Sequence, residues 1–131
     1  MRIAIASDHA AYELKAVLAD WLRAEGHDVA DLGTNGPESV DYPDYGYRLA
    51  SAIADGSAER GVALCGSGIG ISISVNRNPA CRCALVSEPL SARLSRERGA
   101  GRSPSVMARM GVRLSVRPNS ASATESSTAR R

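Results

Sequence analysis

The chain has 131 residues, of which 44% are hydrophobic and only 4% aromatic, with no Phe, so Val, Ile, Leu and Ala must fill a core of single-domain size. No apolar run approaches the ~18 residues of a membrane span and the N-terminus shows no signal-peptide pattern, so a cytoplasmic protein is expected. Three cysteines without CxxC spacing and with no His-rich partner segment argue against a zinc site and for reduced thiols.

From the N-terminus, Arg2 to Ala6 reads as a short strand that ends at the polar trio Ser7-Asp8-His9. Leu14, Val17, Leu18, Trp21 and Leu22 then recur at helical spacing, and Gly26 closes that helix. Val29 to Leu32 forms a second strand, residues 33–44 a loop rich in Gly, Pro, Asn and Asp, and Tyr45 to Ala54 a helix with Leu49 and Ile53 four apart. Gly61 to Leu64 is the third strand, Ile69 to Val75 the third helix, Arg82 to Val86 the fourth strand and Leu90 to Arg96 the fourth helix. Beyond Glu97 the glycines at 99 and 101 with Pro104 interrupt any helix, and Val112 to Val116 supplies a fifth strand. The alternation predicts a Rossmann-like three-layer α/β sandwich with a parallel sheet of about five strands, whose ligands bind beyond the strand carboxyl ends.

The net charge of +2 hides two unlike regions. Residues 1–97 hold nine Lys/Arg against thirteen Asp/Glu, net −4, and residues 98–131 seven against one, net +6. A single domain over residues 1–116 is therefore expected, followed at 117–131 by a disordered basic tail of Ser, Thr, Ala and Arg. The tail interleaves no aromatic residues and has no amphipathic period, so neither nucleic acid nor a membrane is expected as its partner.

The densest chemistry is at Cys65-Gly66-Ser67-Gly68-Ile69-Gly70, between a strand and a helix start. Three glycines let backbone N–H groups face a ligand, the helix adds its positive end, and helix N-termini favour the thiolate form of cysteine. No Lys follows Gly70, which removes the P-loop reading, and the first strand is followed by Ser7-Asp8-His9-Ala10 in place of the glycines of a dinucleotide fingerprint. Cys65 is then either a small buried hydrophobe or a catalyst. Asp8 and His9 either cap a helix or meet a sugar hydroxyl and a phosphate, and Tyr42 either packs or walls a polar pocket. Cys81 and Cys83 alternate on a strand and suit core packing.

Ser7-Asp8-His9-Ala10, Asp41-Tyr42-Pro43-Asp44-Tyr45, Cys65 to Gly70, Ile73-Ser74-Val75-Asn76 and Ser91 to Glu97, in this order and spacing, closely resemble the type B ribose-5-phosphate isomerases. That family includes allose- and galactose-6-phosphate isomerases. The resemblance implies a homodimer that interconverts an aldose phosphate and a ketose phosphate with no metal or organic cofactor, the pair being ribose 5-phosphate and ribulose 5-phosphate. It assigns Cys65 as the base. Gly66, Gly68 and Gly70, with Ser67, would hold the enediolate oxygens, Asp8 and Tyr42 the sugar hydroxyls, and His9 the phosphate. Asn76 joins the substrate-binding set by its motif, and Arg113 falls near the place of a family phosphate-binding arginine.

After Ser95-Arg96-Glu97 the family expects His-Asn, the histidine opening the sugar ring, where this chain has Arg98-Gly99. An arginine does not exchange a proton at neutral pH. Two readings follow: an active isomerase, or a sugar-phosphate-binding homologue without the ring-opening group. The shift in composition at Glu97 is what a change of reading frame in the gene would leave.

Overall fold

The structure, a computed structural model, describes residues 1–99 and 105–110. Strands β1 (Arg2–Ser7), β2 (Asp28–Asp31), β3 (Arg60–Cys65), β4 (Arg82–Val86) and β5 (Ser105–Met110) form one sheet in the order β2-β1-β3-β5-β4, all parallel. Helices α1 (Tyr12–Ala24), α2 (Tyr42–Ala54), α3 (Ile69–Asn76) and α4 (Pro89–Gly99) fill the crossovers, giving the expected three-layer α/β sandwich. No described helix is long and apolar enough to cross a membrane.

Because side chains alternate along a strand, the sheet sorts its residues by parity. Ala4, Ala6, Ala63 and Cys65 pack with Leu49 and Ile53 of α2 and Ile71 and Val75 of α3. Ile5 and Leu64 face the other way, toward Ala11 and Ala19 at the base of α1. Small residues on the first face let the helices lie close. A Cβ on Gly46 of α2 would stand 2.7 Å from Ser74 Cβ and 3.3 Å from the Ile71 carbonyl oxygen of α3. Gly46→Ala is accordingly expected to cost about 1–3 kcal/mol of stability through overpacking. Thermal unfolding checks this, and an unchanged midpoint would mean that the two helices part without cost.

Several elements depart from the sequence expectation. Among the described residues the fifth strand is Ser105–Met110, inserted between β3 and β4; the expected strand at 112–116 and the expected tail at 117–131 lie outside the described residues. Its run Ser-Val-Met-Ala-Arg-Met has one β-branched residue and so lacks the local signal of a strand, but a slot between two parallel strands supplies the pairing. Helix α4 continues to Gly99, and its start is held by Glu88, whose carboxylate accepts the N–H of Leu90 at 2.7 Å and of Ser91 at 2.5 Å, with Pro89 at the first helical position. Hydrogen bonds from Ser91 hold the Glu88 carboxyl below the usual glutamate range.

In α1 the apolar spacing marks the helix but not its inner face. Ala11, Lys15 and Ala19 are buried, whereas Val17 is 66% and Trp21 57% exposed. Trp21 borders a groove of about 300 Å³ that runs between α1 and α4 over Val62 and Val86.

Candidate active site

Strand order reverses beside β1: α1 carries the chain to β2 on one side, and α2 carries it to β3 on the other. A crevice opens at such a reversal beyond the carboxyl ends of the strands, because the two crossovers leave in opposite directions. Here it lies between the ends of β1 and β3, where Ser7-Asp8-His9 and the Cys65 loop emerge. The Asp8 N–H donates to the Leu64 carbonyl at 3.1 Å, tying the two ends together. A Cβ on Gly66 would meet Ala10 Cβ at 3.7 Å, so the two loops touch.

Cys65 is 3% exposed, the last residue of β3. The chain then turns through Gly68, whose φ of 77° lies in the left-handed region that glycine takes without strain. That turn aims the Gly68 N–H back at Cys65 Sγ, 3.1 Å away. The Ser67 hydroxyl accepts the Ile69 N–H at 3.1 Å, which leaves its own proton to donate. Helix α3 begins at Ile69 without a side-chain cap, and the N–H groups of its first turn have no acceptor within the helix. A thiol, a hydroxyl donor and a helix N-terminus therefore lie within one short turn, residues 65–69.

The loop that leads into α2 supplies a wall. A Cβ on Gly70 would fall 2.6 to 3.1 Å from three carbons of the Tyr42 ring, so this ring lies directly on Gly70. Only glycine permits that approach. Tyr42 begins α2, three residues earlier than the sequence periodicity places the helix start, because Asp41 occupies the N-cap and Pro43 suits the first turn.

Asp8 is 7% exposed and its Oδ1 accepts the Ala10 N–H at 3.0 Å, which shapes the turn after β1. His9 is half-buried, and its Nδ1 accepts the Val40 N–H at 3.2 Å. With Nδ1 accepting, the neutral ring carries its proton on Nε2, which is then a donor to a ligand. The fold thus gathers Asp8, His9, Tyr42, Cys65, Gly66, Ser67, Gly68 and Gly70, drawn from three separate stretches of sequence.

Among the described residues, one expected site residue is not gathered there. Asn76 sits at the opposite end of α3 from the glycine loop, and its carboxamide is bonded at both atoms to the backbone of Cys83: Nδ2 donates to the carbonyl at 2.8 Å and Oδ1 accepts the N–H at 2.7 Å. It clamps α3 to β4, a backbone pairing that consumes the groups a ligand would need. Arg113 lies outside the described residues. Sequence reasoning also missed Lys15, Gly33 and Tyr45, which brace the loop before α2. The available signal was Lys15 itself, a cation four residues from both Ala11 and Ala19 on the inner face of α1.

A doubly wound α/β domain that sets a buried thiol against a glycine-rich loop and a helix N-terminus at its switch point defines the class. Residues 3–112 match the Ribose/Galactose Isomerase family, and the chain belongs to it. It is 41% identical over 96 residues to "Ribose-5-phosphate isomerase B" of Escherichia coli, covering 73% of this chain and 64% of that protein. It is 39% identical over 97 residues to "Galactose-6-phosphate isomerase subunit LacB" of Clostridium acetobutylicum, covering 74% and 56%. The chain thus spans less than two thirds of the length of these relatives. Among solved structures, ribose-5-phosphate isomerase B of Clostridium thermocellum superposes with a TM-score of 0.80 at 44% identity, covering 87% of this chain and 74% of that one.

Proposed function

We propose that the chain is an aldose–ketose isomerase for a sugar phosphate, with ribose 5-phosphate and ribulose 5-phosphate as the pair and Cys65 as the base. The observation that carries this reading is the Gly68 N–H donating to Cys65 Sγ at 3.1 Å beside the open first turn of α3. The same short loop stabilises negative charge on sulfur and on a substrate oxygen, the two places where isomerisation puts it. Relatives of nearly equal identity carry ribose 5-phosphate, galactose 6-phosphate and erythrulose 4-phosphate in their names, and the pentose is supported by the similar solved structures, which are named ribose-5-phosphate isomerases.

In the proposed reaction the Cys65 thiolate takes the proton from C2 of the open-chain aldose. The C–H electron pair becomes the C1–C2 double bond, and the carbonyl π pair moves onto O1. Loop N–H groups and the Ser67 hydroxyl hold the resulting enediolate. A proton passes from O2 to O1, the O2 electrons form the new carbonyl, and the Cys65 thiol returns its proton to C1. Asp8 and Tyr42 contact sugar hydroxyls, and His9 Nε2 contacts the phosphate. A homodimer in which a partner subunit contributes phosphate-binding arginines completes this reading by resemblance.

A second reading rests on Arg98, an exposed residue near the end of α4 where the family carries a histidine. It makes the chain a sugar-phosphate binder with slow or absent ring opening. One experiment separates the two. Ribose 5-phosphate followed by proton NMR in D2O is expected to yield ribulose 5-phosphate with solvent deuterium at C1. Binding without conversion would favour the second reading, and deuterium at C1 would show that the proton abstracted by the base exchanges with solvent at the enediolate stage, which a direct hydride shift does not allow.

A further inference from the structure

We infer that Lys15 is a positioning residue: with Asp31 it locks the turn at Gly33 on which Tyr45 seats the start of α2, and so sets the Tyr42 ring over Gly70. Its consequence for substrate rests on the proposed function; the mechanical link itself does not.

Lys15 is 1% exposed, the most buried charged residue among those described. An ammonium so placed is tolerated only when its protons are all engaged. Its Nζ donates to Asp31 Oδ1 at 2.6 Å, to Asp31 Oδ2 at 2.5 Å and to Asn35 Oδ1 at 2.8 Å. These acceptors flank residues 32–34, so the side chain grips the turn after β2 from both sides. Buried ion pairs are weak evidence for stability, but directional bonds around a desolvated charge specify geometry.

The grip continues toward α2. Asp31 Oδ1 also accepts the Gly33 N–H at 2.9 Å. The Gly33 carbonyl accepts the Ser7 N–H at 2.7 Å, and the Thr34 N–H donates to the Ser7 carbonyl at 2.9 Å, so the turn is stitched to the end of β1. Gly33 has φ 89°, and a Cβ there would lie 3.1 Å from Tyr45 Cε1. The Tyr45 ring therefore rests on this glycine as the Tyr42 ring rests on Gly70. Positions three apart on a helix share a face. The first turn of α2 is thus pinned at two glycines, one fixed by Lys15 and the other belonging to the candidate active site.

The test reads the contact directly. The hydrogen of Gly70 that occupies the Cβ direction points into the Tyr42 ring, and its NMR resonance is displaced by the ring current. Tyr42→Leu gives the position without the ring. In Lys15→Met the Gly70 resonance is expected to move at least half of the way to that position, with the dispersed amide signals of the sheet retained. Tyr45→Leu, which cuts the link at the surface, is expected to do the same, and Tyr45→Phe to leave Gly70 in place. A role confined to stability would lower the folded fraction of these variants without moving Gly70 in the molecules that stay folded. An unmoved Gly70 in folded Lys15→Met overturns the proposal. Should that variant not fold, an unmoved Gly70 in Tyr45→Leu overturns it equally. Adding ribose 5-phosphate to the same samples judges the functional reading separately: a moved Gly70 with no response of the unmodified chain to the sugar phosphate upholds the link and removes the substrate.

Discussion

Cys65→Ala is expected to lower kcat by about 10²–10⁴-fold, the usual worth of a positioned general base, while KM changes little. The other two thiols are not placed to replace it: Cys81 is buried beside Ala50 before β4, where burial raises its pKa, and Cys83 lies at the start of β4, the opposite strand end from the candidate site. The substitution also removes the acceptor of the Gly68 N–H, and a buried donor left unpaired costs about 1–3 kcal/mol. Stability and catalysis therefore have to be separated. Cys65→Ser restores an acceptor for Gly68, so it is expected to regain most of the thermal midpoint lost by the alanine variant. It is expected to stay as inactive, because a hydroxyl is not a base at neutral pH. Steady-state rates with ribose 5-phosphate and thermal unfolding of both variants check this pair of outcomes. Full turnover by either variant would assign proton abstraction to another group.

The second large effect is a gain. Arg98→His is expected to raise kcat on the ring-closed sugar phosphate by about 10²-fold, the lower range of acid–base assistance by a placed side chain. A guanidinium stays protonated throughout the neutral range, whereas an imidazole both gives and accepts a proton there. Arg98 is exposed near the end of α4, so the exchange disturbs no core contact. Arg98→Gln is the control, since it removes the charge without supplying an acid or a base. Equal gains in both variants would trace the effect to charge. No gain in either would place the limit in the altered segment after Glu97 and not in residue 98.

Much of the domain was legible because its signals are local. The alternation of short apolar runs with helical spacing yields a parallel α/β sheet, and the placement of Asp8, His9 and Cys65 after strands puts them at carboxyl ends before any coordinates are known. The glycine loop was equally readable: three glycines before an apolar helix have few other uses. What local signals did not show shares one cause. Ser105–Met110 is a strand because it fills a slot between β3 and β4, and nothing in its own composition says so. Asn76 belongs to a motif in sequence, yet its amide is spent on the backbone of Cys83, seven residues away along the chain and adjacent in space.

The chain's order of residues therefore settles which groups can do chemistry, since a thiol, its cradle and the strand ends that carry them are specified within a few positions. Which of those groups meet was settled by packing. Tyr42 reaches Gly70, and Lys15 reaches Asp31 and Asn35, across separations no periodicity encodes. Such contacts exist only after the sheet's strand order brings its crossovers to a common edge, where close approach to glycine and the need to satisfy a buried charge select one arrangement.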